Sequence, residues 1–113
     1  MSILEFKTKL KENPESILFA ETMQIIEENY NFTPTAFTNG EIKNKAEENS
    51  GSCKLFAFAT HQQLSKEETL ACFGEHYRGV LEYKDGTSHQ NIRNFMKTGF
   101  SGLSFDGDAL ELK

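Results

Sequence analysis

Apolar residues recur at helical spacing along most of this chain. Ile3, Phe6 and Leu10 fall on one face of residues 2–12, opposite Lys7, Lys9 and Lys11, which predicts an amphipathic helix. "NPES" restarts the chain, with Asn13 suited to an N-cap and Pro14 to the first helical position. Phe19, Met23, Ile26 and Tyr30 form the next stripe, widened by Leu18, Thr22 and Ile25, with Glu27 and Glu28 turned to water. Pro34 pushes Thr33 toward extended geometry and ends that pattern. The stretch after it has two readings. Asn39-Gly40 fits a hairpin turn, whereas Thr38 with Glu41 fits a capping box, and the second predicts a short helix over 41–48 with Ile42 and Ala46 inward.

"ENSGSCKLFAFA" runs from a small polar loop into an apolar segment that reads as a buried helix, with Ser50 or Ser52 as its cap. Ser65 opens another through Ser-x-x-Glu, and Leu70, Phe73, Tyr77, Val80 and Leu81 give one continuous core face with Glu75 opposite. Asp85-Gly86 marks a turn. A last helix capped by Ser88 carries Ile92, Phe95 and Met96 inward and ends at Gly99. The tail alternates weakly, which predicts a short strand or a hairpin around Asp106-Gly107. The expected fold is a single mainly α domain over residues 1–113, with one short strand pair at most; an α+β arrangement is the alternative.

Composition narrows the class. A chain of 113 residues suffices for one domain that buries about two-thirds of its unfolded surface. Ten Phe and no Trp make phenylalanine the natural core builder. Two cysteines are too few for a disulfide scaffold, which points to a reducing compartment. No stretch is long and apolar enough for a membrane span or a signal peptide, so residence in the cytoplasm is expected. Twelve cations against 17 acids, net −5, disfavour nucleic acid and anionic membranes as partners. A monomer or weak dimer is expected.

Charge distribution then selects the candidate chemistry. Both arginines, Arg78 and Arg93, lie in the same short region as His76 and His89, so these four are expected to share one surface region. His89 and Arg93, four apart, suit a carboxylate or phosphate ligand, with Asn91 beside them. Ser52, Cys53 and Lys54 form a second group. Backbone N–H groups at a helix start, with Lys54, can hold an anion, and a first-turn cysteine has its thiolate favoured by the helix dipole. Packing of Cys53 as a small apolar residue is the stronger reading, because a nucleophile also needs a positioned base. Cys72 and His76 share a face, yet zinc would need His89 or Asp85 as well, and no metal or cofactor is expected. Most of the asparagines are accounted for by turns and caps.

"ENYNFTPTAFTNG", "ENSGSCKLFAFA", "TLACFGEHYRGVL" and "HQNIRNFMKTGF", in that order, resemble the HopJ type III effector family over roughly residues 15–112. Phe100 stands where that family often has Trp, and Ser88 where it often has Asp. The resemblance implies an origin among proteins that bacteria deliver into host cells, but it brings no catalytic residue set. Helix-like sequence from Ser2 onward lacks a polar leader and favours the cytoplasm instead. Three functions follow as expectations: a cytosolic binding module for a small anionic ligand or a protein partner, a secreted effector acting on host proteins, or a small enzyme using Cys53, His76 or His89.

Overall fold

The computed structural model describes residues 1–113. Six α-helices surround and include a buried central one, and five short strands form two antiparallel sheets. The fold is therefore α+β rather than mainly α with a single strand pair. The helices are α1 (Ile3–Glu12), α2 (Phe19–Asn29), α3 (Ser50–Gln62), α4 (Lys66–Ala71), α5 (Glu75–Glu82) and α6 (Gln90–Thr98). The strands are β1 (Tyr30–Phe32), β2 (Phe37–Asn39), β3 (Ile42–Asn44), β4 (Leu103–Phe105) and β5 (Leu110–Leu112).

α1 forms as its pattern predicts, burying Phe6 and Leu10, and Ser2 with Glu5 adds a capping box. Asn13 and Pro14 do start a helical turn, but it is a 3-10 turn over Pro14–Ser16. α2 begins only at Phe19 and buries Thr22, Ile25 and Ile26, leaving Leu18 exposed at its N-cap. Tyr30 leaves the helical stripe to open β1.

The predicted helix over 41–48 is instead the hairpin β2–β3, in which Phe37 pairs with Asn44 and Asn39 with Ile42. Two facts decide against the helix. Thr38 sits mid-strand between Lys43 and Ser104, so it caps nothing. Gly40 has φ +62°, and a Cβ there would collide with Asn94 Nδ2, so the hairpin turn is pressed against α6. The tail does form strands, but they do not pair with each other. β4 joins β2, completing the sheet β3-β2-β4, and β5 joins β1.

α3 occupies the centre, with every residue from Leu55 to Ala59 buried. Phe56 meets Phe37, Phe73 and Phe95 at centroid distances of 6.1, 5.4 and 4.9 Å, and Phe58 meets Phe6 and Tyr30. This phenylalanine core matches the composition. α3 starts at Ser50, with Asn49 as its N-cap in the left-handed region and no side chain capping it; neither Ser50 nor Ser52 plays that part.

The single helix expected after Ser65 is two. The Ser65–Glu68 capping box is present in both directions, at 3.0 and 2.9 Å. The chain then breaks at Gly74, with φ +60°, because the 17–19 segment crosses there: a Cβ would sit 2.6 Å from Phe19 N and 2.8 Å from Ile17 O. The break leaves Leu81 exposed rather than on a core face. It also turns Glu75 back, so that its carboxylate accepts the Phe19 N–H at 2.7 Å and caps α2 from a distance. Ser88 does not cap α6. His89 takes the N-cap position, in the left-handed region, and Gly99 at φ +58° ends the helix as expected.

Candidate functional site

A cleft of about 500 Å³ opens where α3, α5 and α6 begin. Gly51 and Ser52 line it from the second and third positions of α3, and Gln90, Asn91 and Ile92 from the first three of α6. The first N–H groups of a helix have no partner within it. In both helices the first intrahelical bond comes later, from Cys53 N–H to Asn49 O and from Arg93 N–H to His89 O, each at a normal 3.0–3.1 Å. Neither N-cap side chain supplies an acceptor to these amides. Two sets of backbone donors, each at the positive end of a helix dipole, therefore border one space.

Two imidazoles stand at its edge. His76, in the first turn of α5, has its ring centroid 5.0 Å from that of His89, and Phe19 packs edge-on against His76 at the same distance. Phe73 stacks on Phe19 beneath them. No carboxylate lines the cleft. The nearby Glu75 is spent on the Phe19 N–H, which is the main reason its pKa lies below the ordinary glutamate range.

An asparagine network holds this geometry. The amides of Asn44 and Asn91 pair reciprocally, Nδ2 to Oδ1, at 3.0 and 3.3 Å. Asn39 donates to Asn91 through both the backbone O at 2.8 Å and Oδ1 at 3.0 Å, and Asn49 donates to Asn44 Oδ1 at 2.7 Å. Asn94 donates to the Asn39 carbonyl. Asn39, Asn44 and Asn91 are buried. The network locks the β2–β3 hairpin to the start of α6 and ties both to the Asn49 that opens α3. Turn and cap duties explain few of these asparagines. Assigning most of them to turns and caps misses the network; the signal available in the sequence is number, eight Asn in 113 residues.

The eight candidate residues divide in two. Ser52, His76, His89 and Asn91 come together in the cleft. Cys53, Lys54, Arg78 and Arg93 do not. Cys53 is fully buried, its Sγ–H donates to Thr35 O at 3.4 Å, and burial pushes its thiol up rather than down. Lys54 pairs with Glu27 at 3.3 Å and lies 5.0 Å over the Phe32 ring. Arg78 donates to Ile17 O at 3.0 Å, pinning the segment that leads into α2. Arg93 donates to the carbonyls of Lys84 and Ser88 and so straps the loop before α6. The two histidines share this cleft, whereas Arg93 and Arg78 line two other grooves. Cys72 lies in the core at the end of α4, with its thiol pushed up by burial, and the break at Gly74 separates it from the α5 helix that carries His76.

No helix of the protein is long and apolar enough to cross a membrane. No curated protein matches the chain. A solved structure does: the crystal structure of an "unknown function protein VPA0580" shares 53% identity and a TM-score of 0.97, covering 100% of this chain and 95% of that one. The family model described as HopJ type III effector protein matches residues 3–110. With nearly every residue inside that match, the chain belongs to the HopJ type III effector protein family.

Proposed function

We propose that this chain is a binding module for a small anionic ligand, seated in the cleft where α3 and α6 begin. One observation carries the reading: two uncapped helix N-termini open onto one space beside a pair of histidines, with no carboxylate on its walls. Each N-terminus presents roughly half a positive charge and free N–H donors, which act on an anion without any excess of cations in the protein as a whole. His76 and His89 add ring N–H donors at its edge. This reconciles an anion site with a chain of net charge −5. The enzyme reading is weaker, since the cysteine it would use is sealed in the core.

Thermal unfolding in the presence of inorganic phosphate or sulfate tests the reading, because a ligand of the folded state raises the midpoint with concentration. The rise should be lost in Ser52→Asp, which puts a carboxylate in the cleft, and reduced in His89→Ala. A midpoint that ignores both anions, or that rises equally in the two variants, overturns it. Cytoplasmic residence as a monomer or weak dimer goes with this reading. The family match favours a second setting, delivery into host cells by type III secretion. Fusion to a translocation reporter separates the two.

A further inference from the structure

On the other side of Gln90 from the histidine cleft lies a groove of about 490 Å³ between α5 and α6. Val80 and Met96 form its apolar floor, and Lys84, Arg93 and Lys97 stand around it. In a protein with 17 acidic residues, not one lines this groove. Nor does any carboxylate pair with these three cations: the protein's two ion pairs, Lys9–Glu21 and Lys54–Glu27, are both elsewhere. Arg93 is the most telling. Its Nε and Nη1 are spent on backbone carbonyls, its buried Nη2 has no acceptor, and no carboxylate forms an ion pair with the guanidinium.

We infer that this groove docks an acidic segment of a partner protein that carries an apolar residue for the floor. Charge complementarity sets the sign of the partner. The floor sets its kind, because a phosphate backbone has nothing to place against Val80 and Met96, whereas an aliphatic side chain flanked by Asp or Glu fills the floor and meets the rim together. Met96 suits such a role, since a flexible thioether adapts to varied side chains. The site does not depend on the anion cleft, although Gln90 borders both.

Fluorescence anisotropy on the full chain tests it, with a fluorescein-labelled peptide of alternating Glu and Leu as the probe. Its Gln/Leu analogue and a labelled single-stranded oligothymidylate serve as comparisons. The acidic peptide should bind, and both comparisons should bind at least about tenfold more weakly. The double change Lys84→Glu with Lys97→Glu should weaken the peptide by about tenfold or more while leaving the unfolding midpoint in place, since both lysines are exposed. Saturating phosphate and His89→Ala, which address the other cleft, should leave peptide binding unchanged. Absence of binding, equal binding to the charge-reversed variant, or tighter binding of the oligonucleotide overturns the inference. So does loss of the peptide on adding phosphate together with loss in His89→Ala, which would place it in the histidine cleft.

Discussion

Removing the Asn91 side chain should loosen the hairpin from α6 at a calculable cost. Its Oδ1 accepts from Asn39 and Asn44, and its Nδ2 donates to Asn44, so Asn91→Ala deletes three hydrogen bonds. The amides left behind keep other partners. Asn39 Nδ2 retains the Asn91 backbone O at 2.8 Å, and Asn44 Oδ1 retains Asn49 at 2.7 Å. The loss is therefore the net worth of three bonds, about 3 kcal/mol, rather than the larger penalty of stranded buried groups. Asn44→Ala should cost more, because it leaves the buried Asn91 Nδ2 with no acceptor in the network. Two of the bonds are common to both changes and are counted twice in the singles. The double variant should then be about 2 kcal/mol more stable than additivity predicts. Guanidinium unfolding followed by circular dichroism reads all four proteins, the chain having no Trp to report by fluorescence. A cost below about 0.5 kcal/mol for Asn91→Ala, or strict additivity in the cycle, would refute the reasoning.

Other outcomes follow from the same contacts. Glu75, Glu21 and Glu5 have pKa values held below the ordinary 4.5, by the Phe19 N–H, the Lys9 ammonium and the Ser2 N–H respectively. Each binds its proton more readily in the unfolded chain, so their stabilisation is complete above pH 4.5 and lost as pH falls through the lower folded values. Glu75→Gln should flatten that acid loss, as read from urea midpoints across the range; an unchanged slope would contradict the Glu75 cap. Both thiols should resist iodoacetamide until the protein unfolds, and rapid, selective alkylation of Cys53 at about pH 6 would contradict its burial. Ser65→Ala should cost about 1 kcal/mol in stability, whereas Ser50→Ala should fall within about 0.5 kcal/mol of zero, and a reversed order would refute the cap assignments.

Periodicity made α1, α3, the Ser65 cap and the Gly99 terminus legible because those features depend on nearby residues alone. The phenylalanine core followed from composition for the same reason. What stayed hidden was settled at long range. Gly74 looks like one small residue inside a helical stripe, and only the crossing of Ile17–Phe19 makes it a break. The capping signal at Thr38 and Glu41 lost to strand pairing with Ser104, far along the chain. In the site, the histidine pair was foreseen from its sequence neighbourhood. The arginines misled because a guanidinium serves backbone carbonyls as readily as a ligand, and Arg78 and Arg93 are both used that way. The asparagine network was missed, because an Asn that caps a turn and one that bridges distant segments look alike in sequence.

The most direct test of the anion cleft is a phosphate titration followed by amide and imidazole resonances in solution. The account predicts saturable shifts concentrated on the backbone N–H groups of Gly51, Ser52, Gln90 and Asn91, accompanied by the ring signals of His76 and His89. Shifts confined to exposed lysines such as Lys84 and Lys97, or none that saturate, would contradict it.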